Sequence, residues 1–278
     1  MQQEIVKMSY DGIELQGRVD APTRAKAAVV IVHGLCEHYG RYDYLTARLN
    51  TAGYTVYRFD HRGHGRSGGK DTWYDDREQI AKDIDQFANL ALEEMAGKPV
   101  FMLGHSMGGY AAAEYGTMYP GKMAGYVLSG AWTRDNAGLG KVPDELPDDT
   151  YVPNELGDGV CSDPGVGQAY MEDPLVRKSF SVALVRSVVS GQKWMKQNAR
   201  QFTDPVMLMH GADDGLVSPL DSLDMYREIG SKDKSLRVYA GLFHEIFNEF
   251  KKDRVIRDAI EWLDDHVRYC LLYTSDAA

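Results

Sequence analysis

Three short stretches of this chain carry the residue types that covalent acyl chemistry needs. The first is Gly104-His105-Ser106-Met107-Gly108, a serine with glycines two places before and two places after it. It follows the apolar run Val100 to Leu103 and opens a segment of helical periodicity at Met107. A tight strand-to-helix turn at that point lifts the Ser106 hydroxyl above a sheet. It demands a strained backbone at the serine and bare glycines where the chain doubles back. The start of the next helix then offers free N–H groups and a positive dipole end to developing negative charge. An ordinary glycine-rich turn would not need this strand-and-helix setting.

A serine hydroxyl is a weak nucleophile at neutral pH, so it needs a base and a carboxylate to orient that base. The second stretch is His210-Gly211-Ala212-Asp213-Asp214-Gly215, directly after the apolar run Val206 to Met209. Asp213 and Asp214 compete for the carboxylate role. Asp214 is preferred, because the acid commonly lies three residues past the glycine, here Gly211. The third stretch follows Leu236 to Tyr239 and ends at His244. His266, the other histidine after Val217, sits in an amphipathic terminal helix and reads as a surface residue. The assignment is Ser106 as nucleophile, His244 as base and Asp214 as orienter, in the chain order serine, acid, histidine. Two amides must hold the oxyanion. One is that of Met107, and the other is that of Leu35 in the loop His33-Gly34-Leu35. His33 reads as a residue that holds this loop by side-chain hydrogen bonds. The chemistry calls for no metal and no organic cofactor.

The elements that must position these groups are legible from periodicity. Ile5 to Val19 alternates apolar and polar residues around Asp11-Gly12, which signals an antiparallel hairpin at a sheet edge. Ala27 to Val32 is a continuous β-branched run suited to a strand buried on both faces. A helix over Arg41 to Asn50, a strand over Tyr54 to Phe59 and a helix over Asp76 to Met95 follow. After the strand Val100 to Leu103 come a helix over Met107 to Tyr119 and a strand over Met123 to Leu128. Strands alternating with helices give an α/β fold with a mostly parallel sheet and right-handed crossovers. The alternation breaks at residues 133–203, a Gly/Pro/Asp-rich stretch and then an apolar, basic one. It resumes with strand Val206 to Met209, helix Leu220 to Ile229, strand Leu236 to Tyr239 and a last helix over Asp253 to Arg268. An irregular insert in a βα series reads as a cap over the active-site end of the sheet. The division is a core of 1–132 and 204–269 around a cap of 133–203.

Composition narrows the class. The chain has 278 residues, 44% of them hydrophobic, enough for one large α/β domain. A net charge of -10 argues against binding nucleic acid, which needs clustered Lys and Arg. The apolar run near the start is far shorter than a membrane span, and residues 1–4 have no signal-peptide character. Three scattered cysteines, Cys36, Cys161 and Cys270, suit free thiols in a reducing, cytoplasmic setting rather than a disulfide framework.

Three blocks carry a family resemblance: His33-Gly-Leu-Cys-Glu-His-Tyr-Gly-Arg-Tyr42, Phe59-Asp-His-Arg-Gly-His-Gly-Arg-Ser-Gly68 and Gly104-His-Ser-Met-Gly-Gly109. They resemble the monoacylglycerol lipase and lysophospholipase branch of the α/β hydrolases, which is grouped with the serine aminopeptidases. The resemblance runs from about Val29 to His266. It implies an α/β-hydrolase fold and a small-molecule ester or lipid substrate. It further implies that Glu37 and Arg41 line the polar end of the pocket, where a small alcohol sits. The alternative for that pair is a salt bridge that steadies the oxyanion loop.

The chain departs from the lipase pattern at Leu35-Cys36, which replaces a smaller pair and narrows the acyl side. The cap has an acidic first half (Asp144, Glu145, Asp148, Asp149, Glu155, Asp158). Its second half, Leu175 to Thr203, is basic and apolar, with Val182, Leu184, Val185, Val188, Val189, Trp194 and Met195 among the bases. That half reads as a helix packed over the site, and as an alternative it is a lid in transient contact with a lipid surface. The oligomeric state is open. A serine aminopeptidase and a non-catalytic binding protein on the same fold are the rival readings. Finally, Cys270 to Ala278 resembles a translated sequencing adaptor, so a non-native tail is expected past Tyr269.

Overall fold

The computed structural model describes the backbone of residues 1–275, and leaves aside the side chains of Asp158 and of residues 269–275. Among the described residues, ten strands and seven α-helices alternate along the chain. The first half comprises β1 (Gln2–Met8), β2 (Glu14–Asp20), β3 (Ala27–Val32), α1 (Asp43–Thr51), β4 (Tyr54–Phe59), α2 (Glu78–Glu94), β5 (Val100–His105), α3 (Met107–Met118) and β6 (Gly125–Ser129). The insert holds β7 (Tyr151–Pro153), α4 (Pro164–Glu172), β8 (Ser179–Ser181) and α5 (Val182–Gln197). Strand β9 (Val206–Gly211), α6 (Pro219–Glu228), β10 (Lys234–Tyr239) and α7 (Lys252–Ser275) complete the chain.

Eight strands form one sheet in the order β1-β2-β4-β3-β5-β6-β9-β10. The hairpin at Asp11-Gly12 makes β1 and β2 antiparallel, β2 pairs antiparallel with β4, and every later neighbour is parallel. Strands β3, β4, β5, β6 and β9 are buried along their whole length, as the apolar runs in their sequences require. Helices α1 and α7 cover one face through Leu45, Leu49, Ile256 and Leu263. Helices α2 and α3 cover the other with Ile84, Phe87 and Tyr110. Because the central strands run parallel, their C-terminal ends gather at one rim, where Gly34, Ser106 and the loops after β9 and β10 meet.

Several strand boundaries shift by a residue or two from the periodicity reading, and three helix boundaries differ for physical reasons. Arg41 lies in a 3₁₀ turn over Tyr39–Tyr42, ahead of α1. Helix α2 starts at Glu78, because the Asp76 carboxylate accepts from the amides of Glu78 and Gln79 and so acts as its cap. Helix α7 continues past Arg268 to Ser275, where no Gly or Pro stops propagation. Apart from that stretch of helical backbone, the tail Cys270 to Ala278 lies outside the described residues.

The insert is tied down on both sides of the rim. Helix α5 turns Val182, Leu184, Val185, Val188 and Met195 inward, with Val189 and Trp194 half-buried. Gly191 lets α5 approach Tyr110 of α3, since a Cβ there would sit 1.8 Å from the Tyr110 hydroxyl oxygen. The apolar side of this segment therefore packs on the core and does not form an outward lipid-facing stripe. Asp144, Glu145, Asp148, Asp149 and Glu155 are exposed. Among the described residues, no helix is long and apolar enough to cross a membrane.

Candidate active site

Ser106 occupies the single residue between β5 and α3, with φ 56° and ψ −120°. This backbone conformation costs a non-glycine residue about 1–3 kcal/mol, and the surroundings hold it. The Ser106 amide donates to Ser129 O, while its carbonyl accepts from the amides of Tyr110 and Trp132. The flanking glycines are there for space. A Cβ on Gly104 would lie 2.3 Å from Gly108 O, and one on Gly108 would lie 2.2 Å from Val32 O.

Asp214 and His244 come together from the loops after β9 and β10. His244 Nδ1 lies 2.7 Å from Asp214 Oδ2. The other carboxylate oxygen, Oδ1, accepts from the amides of Leu216 and Val217, both at 2.9 Å. Asp213 is exposed and makes no side-chain contact with His244 among the described residues. Burial pushes the Asp214 carboxyl up, but the charge of His244 and the hydrogen bonds from His210 and His244 bring it well below the usual carboxylate range. Burial likewise pulls the His244 imidazole down. Asp214, then Glu245 and Glu37, outweigh this and leave it above its ordinary value.

Ser106 and His244 line one narrow cavity of about 20 Å³ together with Leu35, Leu156, Val160, Tyr170 and Leu216. Among the described residues no hydrogen bond joins the Ser106 hydroxyl to His244; such nucleophile–base contacts tighten in the substrate complex. His105 tilts its ring against His244 with centroids 4.7 Å apart, and burial, then the His244 charge, lowers its pKa to about 4. Leu35 borders the cavity and Met107 opens α3. Among the described residues neither of their amides donates to a protein acceptor.

The oxyanion loop is built on histidines and carboxylates. His33 Nε2 accepts from the His61 amide at 2.9 Å, so the ring hydrogen sits on Nδ1 and donates to Gly34 O at 2.8 Å. Glu37 accepts from the Gly34 amide, from the Tyr42 hydroxyl and from Arg41. Arg41 also forms a fork onto Glu245, at 2.6 and 2.8 Å. Burial raises the Glu37 carboxyl, but the charges of Arg41 and His105 and the hydrogen bonds from Tyr42 and the Gly34 amide together more than reverse that. Glu37 reaches the Ser106 cavity, whereas Arg41 lies behind it, on a second, very small cavity of about 10 Å³ shared with His105 and Glu245. Both are thus held in ion pairs that brace the loop.

Several groups at the site have no place in the sequence reading. Glu245 is the fork's partner, and its only signal is its position beside His244. His210, quoted above only as a strand end, lies 3.1 Å from Asp214 Oδ2. Glu249 accepts from the amides of Ser162 and Phe243, joining the insert to the His244 loop. His266 is half-buried and pairs with Asp233, far along the chain from either loop. Cys36 and Cys161 are free and buried; Cys270 is not described. Among the described residues no group of His, Cys, Asp and Glu is arranged to hold a metal ion.

The fold and its relatives make this chain a serine ester hydrolase of the α/β-hydrolase class. It is 35% identical over 253 residues to a monoacylglycerol lipase of Mycolicibacterium smegmatis, covering 88% of this chain and 90% of that protein. It is 30% identical to the human monoglyceride lipase over 87% of this chain and 83% of that one. The crystal structure of Paleococcus ferrophilus monoacylglycerol lipase superposes with a TM-score of 0.79 at 32% identity, over 91% of this chain and 99% of that chain. The sequence profile described as "Serine aminopeptidase, S33" matches residues 23–251, and the chain belongs to that family.

Proposed function

We propose that this enzyme cleaves carboxylic esters of the monoacylglycerol or lysophospholipid kind, or short-to-medium acyl esters, by two-step acyl transfer. Ser106 attacks the ester carbonyl while His244 takes its proton, and Asp214 holds the imidazole tautomer and stabilises the imidazolium. The oxyanion lies between the amides of Leu35 and Met107. His244 then protonates the departing alcohol, and water repeats the sequence on the acyl-enzyme. Residues 1–132 and 204–269 act as the catalytic core and 133–203 as its cap, in a cytoplasmic protein.

The observation that carries this reading is the 2.7 Å contact between His244 and Asp214 on the cavity where the strained Ser106 sits. Glu37 and Arg41 serve the polar, alcohol end from their ion pairs. An aminopeptidase would need a free carboxylate to hold the substrate ammonium. The two carboxylates on the cavity, Glu37 and Glu245, are both engaged by Arg41 and are not free, and the acidic residues of the insert are exposed. A binding protein without activity would have no use for a strained serine beside a carboxylate-held imidazole.

Ser106→Ala is expected to lower kcat on the order of a millionfold while leaving the melting temperature in place. Wild-type enzyme should hydrolyse p-nitrophenyl butyrate and monoacylglycerol in preference to aminoacyl-nitroanilides. Normal esterase activity in the alanine variant, or a preference for the anilides, overturns the proposal.

A further inference from the structure

The Asp214 carboxylate has a partner that the triad does not use. His210, at the end of β9, is fully buried, as is the Ser222 side chain on α6. His210 Nε2 lies 3.1 Å from Asp214 Oδ2 and 3.0 Å from the Val217 carbonyl. Both neighbours are acceptors only, so Nε2 carries a hydrogen and shares it between them. Ser222 Oγ is 2.7 Å from His210 Nδ1 and, with the ring neutral, donates to it. Asp214 Oδ2 therefore receives two imidazole N–H groups, one from His210 and one from His244, while the two backbone amides take Oδ1.

We infer that His210, itself oriented by Ser222, is a positioning residue that fixes Asp214 and moderates its hold on His244. This inference rests on the Ser106–His244–Asp214 reading above. Two physical consequences follow from the shared oxygen. The carboxylate cannot rotate without giving up a buried hydrogen bond, which keeps Oδ2 aimed at His244 Nδ1. The second donor also spreads the negative charge on Oδ2, so the imidazolium of His244 is held less tightly than by an undivided carboxylate. The ring of His244 faces other ionisable groups too: His105 from β5, Glu37 from the oxyanion loop and Glu245 from its own loop. None of these is altered by a change at position 210.

The test compares His210→Leu, His210→Gln and Ser222→Ala with wild type on p-nitrophenyl butyrate. Rates are normalised to serine sites titrated with a fluorophosphonate. His210→Leu should lower kcat by about 10- to 100-fold, the range for losing a group that orients a reacting one, with KM little changed. Its acid limb of kcat/KM should move to higher pH, because Asp214 now holds the imidazolium alone. His210→Gln places an amide N–H near the Nε2 position and should recover most of the activity and the wild-type limb. Ser222→Ala, which keeps His210 in place, should give a smaller loss and a limb shift of the same sign, and it decides the matter if the leucine variant does not fold. Wild-type kcat and limb in His210→Leu, or a glutamine variant as damaged as the leucine one, overturns the inference. Activity surviving in Ser106→Ala would instead sink the triad reading beneath it.

Discussion

At the scale of single residues, the proposed mechanism puts the pH response of the enzyme in His244. It must be neutral to accept the Ser106 proton, so activity is lost as pH falls through its pKa in the folded protein. Burial pulls that value down, and Asp214 with Glu245 and Glu37 more than restores it, so the net shift is upward from 6.5. The acid limb of kcat/KM is therefore expected above pH 6.5. A rate profile of the free enzyme that is flat down to pH 6 would contradict this. The same residues mark how much of the site could be read in advance. Ser106, Asp214 and His244, the proposed triad, could be picked out in the sequence because each follows an apolar strand at a fixed remove, which ties a proposed role to a local pattern. Glu245, His210 and Ser222 were not, since their roles depend on which side chains meet across loops and helices. Ser222 reaches His210 from a helix twelve residues further along, and no spacing rule announces that contact.

At the scale of elements, strand periodicity carried the most information. β3 and β4 fall where their apolar runs lie, and β5 and β9 do so with small extensions into their loops. Helix starts were less legible because capping moved them: Asp76 caps α2 from outside, and Arg41 is drawn into a 3₁₀ turn where it can reach both Glu37 and Glu245. The insert was the least legible segment, since its short strands β7 and β8 pair only with each other. One close element contact is that between α3 and the end of β3. A methyl group on Gly108 would lie 2.2 Å from Val32 O and 2.3 Å from His33 O, so Gly108→Ala must push α3 away from the oxyanion loop. This should cost about 1–3 kcal/mol of stability, visible as a fall of several degrees in Tm, together with a loss of activity. Gly215→Ala, where a Cβ would meet nothing within 4 Å, is the control for stability. Equal melting temperatures for the two variants would refute the packing argument.

At the scale of the whole molecule, buried histidines set the acid limit of the fold. His33, His61 and His105 are buried and held neutral, and burial lowers His64 to about 4. In the unfolded chain each would take a proton near pH 6.5. The unfolded state thus binds more protons below that pH, and stability falls by about 1.4 kcal/mol per pH unit for each such histidine. His244 works the other way: its raised pKa adds stability below 6.5 that is lost as pH rises through the folded value. Below pH 6.5 that contribution is constant, whereas Glu114, raised by burial to about 7, and Asp204, raised to about 6, take up protons in the fold first. Four histidines against these two carboxyls still give a net loss on the acid side. Urea midpoints should drop steadily from pH 6.5 towards pH 4, and a midpoint constant over that range would show the histidines to be protonated in the fold.

The stitching of the insert has a consequence for how the enzyme must cycle. The Glu245 amide donates to Val160 O, Glu249 joins Ser162 to Phe243, and the Tyr170 hydroxyl reaches Leu35 O. Each contact uses a residue next to His244, next to the loop that carries it, or at an oxyanion amide. In the proposed mechanism, any movement of the insert that parts these contacts would slacken the base and the anion-binding loop together. Opening and reaction would then exclude one another, as with an airlock whose two doors never stand open at once.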